Sequence, residues 1–134
     1  MHEQGEKIDL QKQQLRIVVV EDNADSREMI QLLLELDGYS VITCEDGAEG
    51  LRAILAHRPD VALVDIGLPT MSGYEIASRV RQQLCQETTL LVAVTGYGSP
   101  ESRRASRIAG FDEHLVKPLP VDHLQRILAE RRSL

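Results

Sequence analysis

Val61-Ala62-Leu63-Val64-Asp65-Ile66-Gly67-Leu68-Pro69 decides how this chain is read. Four apolar residues without polar alternation suit a strand buried on both faces of a parallel sheet, and the following Gly and Pro mark a loop. Asp65 then stands at the carboxyl end of a strand, the edge where open α/β sheets carry their chemistry.

Three other strand ends supply partners for that carboxylate. Arg16-Ile17-Val18-Val19-Val20 stops at Glu21-Asp22, Leu90-Leu91-Val92-Ala93-Val94 at Thr95-Gly96, and His114-Leu115-Val116 at Lys117-Pro118. With Asp65 they offer three carboxylates, a hydroxyl and an ammonium. At an effective dielectric of ~20, two carboxylates ~5 Å apart repel by roughly 3 kcal/mol, so the cluster invites a cation. With no His or Cys placed to select zinc or copper, a hard oxygen-seeking ion fits: magnesium first, manganese second.

The alternation of short β-rich runs with helical spacing repeats five times from Arg16, the pattern of a doubly wound α/β domain. Strands are expected at about 16–20, 39–44, 61–65, 89–95 and 113–116. Buried helix stripes are expected at Met29, Leu32, Leu33 and Leu36, at Leu51, Ile54 and Leu55, at Ile76, Val80 and Leu84, and at Val121, Leu124, Ile127 and Leu128. Gly38, Asp46, Pro59 and Ser99-Pro100-Glu101 punctuate these elements as caps and breaks. The fourth helix, Pro100 to Ala109, carries Arg103, Arg104 and Arg107, which leaves Ala105, Ile108 and Ala109 to pack and predicts a weakly held element. Residues 1–14 are polar and read as a tail or linker, with one domain over 15–134.

Composition excludes more than it selects. A chain of 134 residues has interior for one core, and a formal charge of −6, without basic runs interleaved with aromatics, argues against direct nucleic-acid binding. No apolar stretch approaches the ~18 residues that span a bilayer, so no membrane insertion is expected. Cys44 and Cys85 form no CxxC pair and no signal-peptide core opens the chain, which predicts a reduced, cytoplasmic setting.

These strand-end residues resemble those of the receiver domains of two-component response regulators, over nearly everything from Arg16 to about Arg131. The resemblance implies a (βα)5 flavodoxin-like fold, an α/β doubly wound five-stranded parallel sheet in the order 2-1-3-4-5. It implies that Asp65 accepts a phosphoryl group from a histidine kinase or histidine phosphotransfer protein. Magnesium is then held by Glu21, Asp22, Asp65 and the backbone carbonyl of Gly67, with Thr95 and Lys117 on the phosphoryl oxygens. It further implies a cis bond before Pro118, a switching role for His114 where the family more often has Tyr or Phe, and a gating role for Tyr97. The wording of Asp65-Ile66-Gly67-Leu68-Pro69 and of Ala109 to Pro118 looks similar to receivers of hybrid histidine kinases, while a stand-alone regulator fits equally well. Output passes to a downstream protein, and a homodimer would use the fourth helix, fifth strand and fifth helix. Gly67 has no side chain to orient a hydrolytic water, which predicts slow self-dephosphorylation.

Plainer readings stand beside these. Glu21 and Asp22 also suit the start of a helix, Asp65 an Asx turn, Lys117 a surface ammonium, His114 a half-buried strand spacer, and Tyr97 an exposed loop aromatic. Three rivals use the same residues. A nucleotide-binding domain needs a Gly-rich cradle where this chain has Glu21-Asp22-Asn23. An aspartate-nucleophile phosphatase usually has a second acid where Gly67 stands. A degenerate receiver that binds partners without phosphorylation should lack some of the five residues, and none is missing.

Overall fold

The alternation is realised element by element in a computed structural model, which describes residues 14–134. The expected polar opening therefore lies outside the described residues except for Gln14. The order is β1 (Arg16–Val20), α1 (Ala24–Leu36), β2 (Ser40–Cys44), α2 (Gly47–His57), β3 (Val61–Asp65), α3 (Gly73–Arg81), β4 (Leu90–Thr95), α4 (Pro100–Ala109), β5 (Glu113–Val116) and α5 (Val121–Arg132). The five strands form one parallel sheet in the order β2-β1-β3-β4-β5.

Period-two alternation along the strands divides the apolar residues between two cores. Ile17, Val19, Leu63, Val92 and Leu115 face α1 and α5, meeting Ile30, Leu34, Leu124 and Leu128. Val18, Val20, Ala62, Val64 and Ala93 face α2 and α3, meeting Ile54, Ile76 and Val80. β3 is buried at every position, the reason its sequence shows no polar alternation.

The caps behave as their chemistry requires. Asp46 accepts from the amide of Glu49 at 2.8 Å, and Ser99 from that of Ser102 at 3.1 Å with Pro100 opening α4. Gly38 follows α1 at φ 89°, a conformation that favours glycine.

Three helix faces differ from the expected ones. On α1, Ile30 and Leu34 are buried while Met29, Leu32 and Leu36 are 65%, 61% and 76% exposed, with Leu33 between. The helix carries two overlapping apolar stripes, and the sheet takes the one that Ile30 and Leu34 define. On α5, Val121 sits at the exposed first turn while Leu124, Ile127 and Leu128 are buried. On α4 the expected packing residues are displaced, because Ser106 is the one buried residue and Ile108 is 79% exposed.

The α1 register is testable by urea denaturation. Leu34→Ala should cost about 2–5 kcal/mol by opening a cavity, whereas Leu32→Ala should stay within about 0.5 kcal/mol. Equal losses would mean that α1 is rotated from the orientation described.

Candidate functional site

The sheet order fixes where the site lies. β1 connects to β2 on one side and β3 follows on the other, so the connections diverge above the carboxyl ends of β1 and β3, where a crevice forms. Val20 pairs with Val64, which puts Glu21 and Asp22 beside Asp65. One carboxylate oxygen from each of Glu21, Asp22 and Asp65 lies within 4.8 Å of the others.

Each side chain is held by its own element. The Glu21 carboxylate, 3% exposed, accepts the amide of Asn23 at 3.1 Å, and Asn23 in turn caps α1 through the amide of Ser26. Asp65, 7% exposed, accepts the amide of Gly67 at 2.9 Å through Oδ1. The loop after Asp65 returns tightly to α3. A Cβ on Gly73 would lie 2.7 Å from Cα of Ile66 and 2.9 Å from the carbonyl oxygen of Asp65, so only glycine lets the helix start there. Thr95 is buried at the end of β4, its hydroxyl oxygen 3.3 Å from the amide of Tyr97.

Lys117 follows β5 and closes the cluster. Its amide donates to the carbonyl of Thr95 at 2.7 Å, and its Nζ lies 2.8 Å from Asp65 Oδ2 and 3.4 Å from Glu21 Oε1. The Lys117–Pro118 bond is cis. One ammonium thus faces three carboxylates, leaving an excess of negative charge.

Titration reflects that imbalance. Burial, joined by the field of Asp65, raises the pKa of Glu21 above the ordinary carboxyl range, against the lowering effects of the Asn23 amide and Lys117. Burial works against the Lys117 ammonium, yet its hydrogen bond to Asp65 and the fields of Asp65 and Glu21 outweigh it and raise its pKa. The donor set is oxygen alone, with an exposed edge at Asp22, and it suits a hard divalent cation better than zinc or copper.

Glu21, Asp22, Asp65, Thr95 and Lys117 are thus gathered at one edge, with Gly67 against Asp65. His114 and Tyr97 stand apart, joined to each other: His114 Nε2 lies 2.8 Å from the carbonyl oxygen of Tyr97, and its Nδ1 lies 2.7 Å from the Ser106 hydroxyl. The Tyr97 side chain points into solvent, its residue 74% exposed. Two residues escaped sequence reasoning. Arg27 donates to the carbonyls of Glu21 at 3.0 Å and Asp22 at 3.4 Å and so pins the acidic turn; its position one turn into α1 was the available signal. Ser106, a serine among arginines, gave none.

A family model described as the response regulator receiver domain matches residues 17–129. The chain is 38% identical over 118 residues to the sensor histidine kinase AruS of Pseudomonas aeruginosa, covering 87% of this chain but 12% of that kinase's length. Its structure superposes on the chemotaxis response regulator CheY4 of Vibrio cholerae with a TM-score of 0.80 and 30% identity, covering 88% of this chain and 98% of that one. The receiver domain of another Pseudomonas aeruginosa sensor histidine kinase, which carries a magnesium ion coordinated in its active-site cleft, matches with a TM-score of 0.80 and 30% identity, over 90% and 99% of the two chains.

The raised pKa of Glu21 has a definite sign. The folded state holds that proton more tightly than the unfolded chain, so the charged group costs stability above its folded pKa, and the cost vanishes as pH falls through that value. Without divalent ions, Glu21→Gln, which keeps an acceptor for the Asn23 amide, should be more stable than the parent at pH 7, with the gap closing towards the ordinary carboxyl value. Thermal melts across that range would show it; a variant less stable at neutral pH would mean that the Lys117 pairing outweighs burial.

Proposed function

The chain belongs to the response regulator receiver family, and on that premise we propose that it accepts a phosphoryl group on Asp65 and reports the change through α4, β5 and α5. The donor is a phosphohistidine of a histidine kinase or a histidine phosphotransfer protein. A carboxylate oxygen of Asp65 attacks phosphorus, the phosphorus–nitrogen bond breaks, and the donor histidine leaves with the bonding pair. The observation that carries this reading is the meeting of Asp65, Glu21 and Asp22 within 4.8 Å, with Lys117 Nζ 2.8 Å from the acceptor carboxylate.

The physical obstacle is that an anion must approach an anion. Glu21, Asp22, Asp65 and the carbonyl of Gly67 are the residues we assign to magnesium, with manganese as a substitute. When bound, the ion offsets the negative charge of the carboxylates and of the incoming phosphoryl oxygens. The Gly67 amide orients the carboxylate of Asp65 from Oδ1. Lys117 can leave Glu21 and pair with a phosphoryl oxygen while staying beside Asp65. Thr95, anchored to Lys117 through the backbone, supplies a hydroxyl to another oxygen and draws the loop after β4 inward. His114 and the Tyr97 loop then lose their resting arrangement, which changes the α4-β5-α5 surface.

The chain's place in a phosphorelay, as a stand-alone regulator or as the receiver of a hybrid kinase, is compatible with either kind of relative. We assign it to the cytoplasm, where Cys44 and Cys85 stay free thiols. No helix among the described residues is long and apolar enough to cross a membrane.

Incubation with magnesium and acetyl phosphate, followed by intact mass, tests the reading. The expected outcome is a gain of one phosphoryl group that needs magnesium and is absent in Asp65→Asn. Equal modification of that variant would overturn it, and no modification of either would favour a binding module that works without phosphorylation. A Cβ at position 67 would sit 3.7 Å from Asp65 Oδ1, in ordinary contact, so Gly67→Asn fits and should shorten the life of the aspartyl phosphate. An unaltered lifetime would count against the predicted role of that position.

A further inference from the structure

The three carboxylates of the cluster are not restrained alike. Glu21 accepts the amide of Asn23 through Oε2 and meets Lys117 through Oε1, while Asp65 accepts the amide of Gly67 through Oδ1 and meets Lys117 through Oδ2. Both are buried, with each oxygen committed. The Asp22 carboxylate is exposed, and among the described residues it accepts no hydrogen bond and joins no ion pair. Its direction is therefore set by the backbone that carries it.

That backbone is gripped from two sides. The Glu21 amide donates to the carbonyl of Cys44 at 3.0 Å, which extends the pairing of β1 with β2 by one residue. From α1, Arg27 Nη1 donates to the carbonyls of Glu21 at 3.0 Å and Asp22 at 3.4 Å, while Nη2 lies 3.7 Å from Glu45 Oε1. The Arg27 side chain is 15% exposed. It is the fourth residue of α1, and its amide closes the first helical turn onto the carbonyl of Asn23 at 2.9 Å. The positive end of the helix dipole disfavours a cation there, and burial of the guanidinium adds to the cost. The carbonyls and the negative field of the acidic turn offset it, so the placement of Arg27 is explained by what it does for that turn rather than for the helix.

We propose that Arg27 is a positioning residue for the cation site: it holds the Asp22 carboxylate towards the cleft before an ion arrives, and so sets the affinity for a divalent cation without being a ligand. The inference rests on the assignment of Asp22 to magnesium made above. A ligand arm that is free to turn must be ordered when the ion binds, and that ordering lowers affinity. Groups that orient metal ligands from outside the coordination sphere change affinity by roughly 10–100-fold. The planar fork of arginine reaches two carbonyls and Glu45 at once, whereas lysine is a point charge on a flexible stem. Lysine would restore the charge but not the geometry.

Manganese titration of the unphosphorylated chain, followed by electron paramagnetic resonance, is the test. Arg27→Ala should bind about tenfold more weakly than the parent, and Arg27→Lys should stay at least about threefold weaker. The sign is decisive, because removing a positive charge beside a cation site would by itself tighten binding. Tighter binding in Arg27→Ala, or full recovery in Arg27→Lys, would overturn the proposal. In an Asp22→Asn background, Arg27→Ala should have little further effect, and losses that simply add would overturn it as well. In the metal-free chain, nitrogen-15 relaxation should show the Asp22 and Asn23 amides of Arg27→Lys falling below the order parameter of roughly 0.85 typical of rigid backbone, with Asp65 and Thr95 unchanged. Loosening spread along α1 would make Arg27 a helix-stabilising residue instead. If the parent itself binds no manganese at the cluster, the cation reading fails, and the restraint on Asp22 is then judged by relaxation alone.

Discussion

Mutual repulsion among Glu21, Asp22 and Asp65 is the constraint on which the rest of this structure depends. Three carboxylates meet at the point where the connections of a parallel sheet diverge, and two of them are almost fully buried. A fold would not gather such charges for stability, because each buried carboxylate costs solvation that only a counter-charge can offset. Lys117 supplies one positive charge from the far strand, bridging Asp65 and Glu21. The remaining imbalance leaves the site receptive to a hard cation.

The neighbouring elements differ in how firmly they are held. β3 and β4 are buried almost throughout and fix Asp65 and Thr95 with little freedom. α4 has a single buried residue, itself polar, and it rests on the β5 histidine rather than on an apolar stripe. A change in charge at the rigid end can therefore be felt at the loose end without disturbing either apolar core. Lys117 links the two, since its side chain lies in the acid cluster while its amide is bonded to the carbonyl of Thr95.

Much of this was legible in the chain. The continuous apolar runs placed the strand ends within a residue, because strands buried on both faces admit no polar alternation, and the strand ends alone brought Glu21 and Lys117 together across 96 residues. The α1 face was misread for a physical reason: residues 29, 30, 32, 33, 34 and 36 are all apolar, and two stripes of helical spacing compete for the sheet. Only packing against Ile17 and Tyr39 selects Ile30 and Leu34. Ser106 was illegible because a serine flanked by arginines reads as solvent-facing. Its burial depends on a histidine eight residues away turning an imidazole nitrogen towards it.

The measurement that bears most directly on the central claim is an anomalous difference map from crystals grown with manganese. A single peak about 2–2.5 Å from carboxylate oxygens of Asp22 and Asp65, close to Glu21, would show that the clustered charges exist to hold a divalent cation. An occupied site elsewhere, or none at millimolar manganese with Lys117 still bridging Asp65 and Glu21, would contradict the account and leave the ammonium as the cluster's sole counter-charge.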